Sequence, residues 1–192
     1  MAHKTLSLSP LESNLSFCRP SMTYAEDVIS LDAPAISVMT DLTRVSAVTA
    51  SPMCTITAAN ERMIANGVRM LLITDQKDHI LGLVTSSDIN GEKPMGYIRE
   101  VGGSHEEIVT RDIMTPKEKL EAMSMREIKN STVGDVVETL KSVGRQHALV
   151  MNEETGRICG IFSSSQIIHL TGIPIDLSAK TGDFAELHTA IG

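Results

Sequence analysis

Gly82-Leu83-Val84-Thr85-Ser86-Ser87-Asp88-Ile89 and Gly160-Ile161-Phe162-Ser163-Ser164-Ser165-Gln166-Ile167 are two versions of one eight-residue pattern. Their glycines lie 78 positions apart (160 − 82). Each copy runs from a glycine through an apolar pair to a hydroxyl residue, two serines, a polar residue and an isoleucine. A unit that occurs twice predicts a fold in two like halves. The mismatches then mark where one half holds a ligand differently from the other. Thr85 faces Ser163, which keeps the hydroxyl, whereas Asp88 faces Gln166, which loses a charge.

Outward from these patterns, the two copies keep one order of elements. In the first, Val38-Met39-Thr40 leads to a β-prone stretch, Val45 to Thr49, and Pro52-Met53 turns the chain. Ala58 to Asn66 reads as a helix with Ala59, Met63 and Ile64 on its apolar face. Gly67 suits the left-handed position just past its end. Met70 to Ile73 and Ile80 to Val84 are apolar runs around the turn cluster Asp75-Gln76-Lys77-Asp78, which predicts an antiparallel hairpin. Ser86 or Ser87 is expected to cap a helical turn, soon interrupted by Gly91 and Pro94. In the second copy, Ile113-Met114-Thr115-Pro116 mirrors the Met-Thr start, and Leu120 to Ile128 matches less well. Thr132 is an N-cap residue for a helix whose Val133, Val136, Val137 and Leu140 recur at i, i+3, i+4 and i+7. Gly144 ends that helix. Strands at Ala148–Val150 and Ile158–Phe162 flank a turn at Asn152–Gly156, and a helix from Ser164 to Leu170 stops at Gly172 and Pro174.

The expected organisation is a polar, Ser-rich N-terminal arm (1–33), a first repeat (34–92), a connector (93–108), a second repeat (109–172) and a helical tail (173–192). In the tail, Asp183 caps a helix with Phe184, Leu187 and Ile191 on one side. A chain of 192 residues, 42% hydrophobic but only 3% aromatic and without Trp, has to build an aliphatic, Met-rich core. Its eleven Met residues suit irregular gaps or an adaptable pocket. The net charge of −7 argues against a nucleic-acid polymer as partner, which needs a basic face. Cys18, Cys54 and Cys159 are odd in number and form no Cys-x-x-Cys pair, the pattern of reduced thiols. No signal-peptide pattern stands at the N-terminus. No run approaches the roughly 20 apolar residues of a membrane helix. The expectation is a cytoplasmic protein with no membrane partner.

Each half thus reads strand, helix, strand, strand, helix. About 60 such residues bury too little surface to stand alone, so the copies are expected to pack sheet against sheet. The order, the Met-Thr start, the mid-repeat glycine and the Gly-h-h-Thr-x-x-Asp close (h is apolar) together resemble the CBS domain family, whose tandem pair is called a Bateman module. The resemblance covers residues 35–172. It implies an α+β fold of two CBS domains, packed as a pseudo-two-fold pair through small mixed sheets. It also implies a stand-alone sensory module. Such a module binds an adenosine-type nucleotide (AMP, ADP, ATP or S-adenosylmethionine) in a cleft between the repeats, commonly as a homodimer, and passes occupancy to a target protein. The nucleotide is a regulatory ligand, and no cofactor is required.

On the family pattern the ligand residues fall at Arg69, Thr85 and Asp88. An ionised Asp at a helix start accepts hydrogen bonds from both ribose hydroxyls, the Thr touches ribose or phosphate, and a guanidinium grips phosphate with parallel hydrogen bonds. Free N–H groups at Ser86 and Ser87 are expected to face an anion. The second repeat puts Gln146 where Arg69 stands and Gln166 where Asp88 stands, with Arg145, His147 and Ser163 nearby. That set is expected to be weaker or empty, because an uncharged bond is about half as strong. The base is expected near Met123 or Val48. Plainer roles remain open for each residue: Asp88 as a helix cap, Arg69 as a paired surface residue, Thr85 as a strand end, and Gly91-Glu92-Lys93-Pro94 as a connector rather than a loop with Lys93 near phosphate.

No catalytic constellation emerges. The six His residues are dispersed, with no i, i+4 pair for a metal, no P-loop and no nucleophile elbow. The expected protein is not an enzyme and holds no metal. The alternative to a sensor is a ligand-independent dimeric scaffold or adaptor.

Overall fold

The computed structural model describes residues 28–177. The arm over 1–27, with Cys18, and the helix expected over 183–191 lie outside the described residues. In chain order the regular elements are β1 (Thr40–Asp41), β2 (Thr49–Ala50), α1 (Ile56–Asn66), β3 (Met70–Thr74), β4 (Ile80–Thr85), α2 (Ser86–Asn90), α3 (Lys93–Val101), α4 (Thr110–Ile113), β5 (Thr115–Pro116), β6 (Ala122–Ser124), α5 (Met125–Ile128), α6 (Val133–Val143), β7 (His147–Asn152), β8 (Arg157–Ser163) and α7 (Ser164–Thr171). Among the described residues no helix is long and apolar enough to cross a membrane.

The long helices begin and end for local reasons. Thr55 accepts from Ala58 N–H at the start of α1, and Thr132 forms a reciprocal capping box with Asp135 at the start of α6. Both helices stop at a glycine in the left-handed region, Gly67 at φ 64° and Gly144 at φ 63°. Only a residue without Cβ sits there at no steric cost.

Two four-stranded mixed sheets result, in the orders β2-β3-β4-β5 and β1-β8-β7-β6. β2 and β6 run parallel to β3 and β7, and the other pairings are antiparallel. The strands alternate between two apolar surroundings. Leu71, Ile73 and Val84 enter a core under α1, and Val150, Cys159 and Phe162 enter the matching core under α6. Met70, Leu72 and Leu149 face the other way, into a layer with Leu83, Leu120, Ile158 and Ile161 that joins the two sheets. Strands covered on both faces read as near-continuous apolar runs, and these do. The fold is the expected α+β pair joined sheet to sheet.

The repeats exchange their lead-ins. β1, from the start of the first repeat, pairs with β8 of the second (Thr40↔Ile161, Asp41↔Gly160). β5 crosses the other way, to β4 (Gly82↔Pro116, Leu83↔Thr115). Ala35 and Val38 are buried in the second core, and Ile108 and Ile113 in the first. This exchange explains the duplicated glycines. A Cβ on Gly82 would stand 2.5 Å from Thr115 O and 2.9 Å from Met114 Sδ, and one on Gly160 would overlap the Met39 thioether. Each Met-Thr start lies across the glycine of the opposite repeat.

Several elements differ from expectation. The strand expected at 45–49 shrinks to Thr49–Ala50, because its partner β3 meets it only through Leu72 and Ile73. The N-cap of α2 is Thr85, not Ser86 or Ser87. Residues 93–101, expected as connector, form α3, with Pro94 in its first turn, where a missing N–H costs nothing. Residues 28–33, expected as part of the arm, are tied to the second repeat. Ile29 N–H donates to Leu170 O, and Gly134 and Val133 N–H donate to Leu31 and Ala33 O.

Candidate functional site

β4 delivers Thr85 to the edge of the first sheet, where the strand turns into α2. Thr85 Oγ1 accepts from Asp88 N–H at 3.2 Å and donates to Asp88 Oδ2 at 2.8 Å. Asp88 Oδ2 also accepts from Thr85 N–H at 2.8 Å. The pair is a closed capping box, so the plain cap role of Asp88 is realised. The other carboxylate oxygen, Oδ1, lies 2.7 Å from Lys93 Nζ. Lys93 Nζ also donates to Ile113 O at 3.2 Å. The carboxylate is 15% exposed and the ammonium 45%, so the aspartate is held in the fold while the lysine has room to swing away. The sequence put Lys93 in a connector ahead of the alternative of a loop near phosphate, since Gly91 and Pro94 disguised the start of α3.

Arg69 stands beside this turn, because its carbonyl accepts Ser86 N–H at 2.9 Å. That bond corrects one expectation: Ser86 N–H is taken and does not face an anion. The Arg69 side chain is exposed and has no hydrogen-bond or ion-pair partner among the described residues. The first repeat therefore brings Arg69, Thr85 and Asp88 together.

The second half reaches into the same place through His147. It begins β7 two residues before Leu149, whose side chain lies in the layer between the sheets, so His147 faces the first half as well. Burial, and after it the Arg69 guanidinium, push the imidazole down to about 4, while the Asp88 carboxylate pulls the other way. His147 is thus a neutral donor and acceptor between the charged groups of the opposite repeat. Its sequence signal was only adjacency to Gln146.

The matching turn of the second half is differently built. Ser164 N–H donates to Gln146 O at 2.9 Å, the counterpart of the Arg69 bond. Ser163 caps nothing and shares a 2.9 Å hydrogen bond with Ser165 Oγ. Gln166 Oε1 accepts from Thr40 Oγ1 at 2.9 Å, so it ties down the exchanged lead-in. Arg145 pairs with Glu121 at 3.0 Å. Gln146 is exposed. Val48 packs on the first core and Met123 on the second. Two grooves, about 380 and 430 Å³, lie elsewhere, along α6 with Met123 and beside β2 with Met53; neither is lined by Arg69, Thr85 or Asp88. Among the described residues no cluster of His, Cys, Asp and Glu is arranged to hold a metal ion.

Residues 36–92 match the model of the CBS domain family. That stretch is similar to a CBS domain. Its pairing with a second, like half is the fold of known CBS pairs. A conserved protein from Pyrococcus horikoshii superposes with a TM-score of 0.55 at 23% identity, over 77% of this chain and 98% of its own. A CBS-domain containing protein from Agrobacterium tumefaciens gives 0.52 at 21% identity, over 67% and 88%. The CBS domain pair of protein MJ0100, solved in complex with 5′-methylthioadenosine and S-adenosyl-L-methionine, gives 0.50 at 17% identity, over 72% and 98%. At these identities the likeness establishes the fold alone. No curated protein sequence matches the chain.

Proposed function

We propose that the chain is a regulatory module that binds an adenosine-type nucleotide at the first-repeat turn, between the two CBS halves. As a homodimer, it passes occupancy to a target protein. The observation that carries this reading is the convergence of a guanidinium with no hydrogen-bond or ion-pair partner among the described residues (Arg69), a positioned carboxylate (Asp88) and an imidazole from the opposite half (His147). In this pose Asp88 Oδ1 accepts the ribose hydroxyls through its two lone pairs, Arg69 meets the phosphate, and the Thr85 capping box keeps the carboxylate aimed. The adenosine compounds bound by the CBS pair of protein MJ0100 belong to the same ligand class. The second-half turn, with Gln146 and Gln166 and no free charge, is the weaker or empty one.

One observation favours a ligand-independent scaffold instead: both Asp88 oxygens already have partners in Thr85 and Lys93. Calorimetric titration of the full chain with AMP, ADP, ATP and S-adenosylmethionine separates the two. Micromolar binding of any of them supports the sensor; no heat up to millimolar ligand, with a stable dimer, leaves the scaffold.

A further inference from the structure

The ion pair between Lys93 and Asp88 bears on which adenosine compounds this site takes, and the inference rests on the reading above. Lysine is an unfavourable residue at Lys93. It is the first residue of α3, where the helix dipole disfavours a cation, and that helix carries no acidic residue in its first turn. What holds the ammonium there is Asp88 Oδ1 at 2.7 Å and Ile113 O at 3.2 Å. The same Oδ1 is the only carboxylate oxygen not consumed by the Thr85 capping box. A ribose that takes Oδ1 therefore displaces Lys93.

We propose that Lys93 is a specificity-determining counter-ion, which leaves Asp88 for the phosphate of the incoming ligand and so makes the site select 5′-phosphorylated nucleosides over uncharged ones. The physical reason is the fate of the ammonium. With adenosine, the ion pair is broken and the cation gains no anion in return. With AMP, the ammonium exchanges one anion for another, beside the Arg69 guanidinium, which has no hydrogen-bond or ion-pair partner among the described residues. The long, 45% exposed side chain can make that swing without moving α3. Two cations around one carboxylate also disfavour S-adenosylmethionine, whose sulfonium would stand where the phosphate does.

Titration of the full-length protein and its Lys93→Gln and Lys93→Arg variants with adenosine, AMP and S-adenosylmethionine tests this, with thermal melting as a check that each variant folds. The wild type should bind AMP at least about tenfold more tightly than adenosine, as expected for a charge-assisted contact. Lys93→Gln should close most of that gap, weakening AMP while leaving adenosine equal or tighter, because Asp88 is then unlatched. Lys93→Arg should keep the preference. A gap unchanged in Lys93→Gln, or S-adenosylmethionine preferred over AMP by the wild type, overturns the inference and leaves the nucleotide site standing. No binding of any of the three, nor of ADP or ATP, overturns both.

Discussion

Replacing Gly82 and Gly160 by alanine, one at a time, tests the exchange of lead-ins, because the same change meets different atoms in the two halves. At Gly82 the new methyl stands 2.5 Å from a backbone oxygen, Thr115 O, and 2.9 Å from Met114 Sδ. The carbonyl moves only if β5 pulls away from β4. Overpacking of this kind costs about 1–3 kcal/mol, and a weakened β4–β5 hydrogen bond adds about 1 kcal/mol. At Gly160 the three atoms nearest the methyl all belong to the Met39 side chain. An unbranched thioether can reroute, so the clash costs about 1–2 kcal/mol. Alanine also stabilises either site by about 0.4–1 kcal/mol through lower unfolded-state entropy. The net expectation is a loss of about 2–3 kcal/mol for Gly82→Ala and about 1 kcal/mol or less for Gly160→Ala. Urea unfolding followed by far-UV circular dichroism measures both. Adding Met39→Ala should relieve the clash at Gly160, whereas Met114→Ala should not rescue Gly82→Ala, since the carbonyl stays. Equal losses, or a larger loss at Gly160, would refute the placement of β5 against β4.

The other predictions concern the site and the caps. Asp88→Ala should weaken AMP binding about 10- to 100-fold, the scale of a lost charge-assisted hydrogen bond, while Gln166→Ala leaves it within about threefold; equal effects at both would defeat the one-site reading. His147 ties stability to pH. The imidazole titrates near 6.5 when unfolded and at about 4 in the fold, so below 6.5 the unfolded chain holds the extra proton. Its contribution is complete above pH 6.5 and is lost as pH falls toward 4, by roughly 3 kcal/mol in all. His147→Gln should flatten that part of the stability–pH curve, and parallel curves for wild type and variant would count against its burial beside Arg69. Thr132→Ala should cost about 1 kcal/mol through the lost cap of α6 with no change in AMP affinity, which denaturant melts and titration check together.

What could be read from the chain beforehand was what depends on neighbours in sequence. The αL glycines Gly67 and Gly144, the Thr132 cap and the two hairpins are local signals, and the structure places them where they were expected. The pairing of Met39-Thr40 with β8 was not legible, because the partner lies in the other repeat and each half contains a like glycine. Periodicity cannot say which copy a lead-in joins. Helix α3 was hidden by Gly91 and Pro94, which read as breakers; Gly91 ends α2 ahead of α3, and Pro94 sits in the first turn of α3, where it is tolerated. In the site, Arg69, Thr85 and Asp88 could be picked out as a set from the duplicated pattern. Lys93 and His147 were named apart from that set, since their relation to Asp88 exists only once α3 folds back and the second sheet packs on the first.

The most direct check on the central claim is a crystal structure of the full chain grown with AMP. Density is expected for one nucleotide between the halves, its ribose hydroxyls on Asp88 Oδ1 and its phosphate between Arg69 and a Lys93 that has left Asp88. A nucleotide bound at Gln166 instead, or an intact Lys93–Asp88 pair with no nucleotide beside it at saturating AMP, would contradict it.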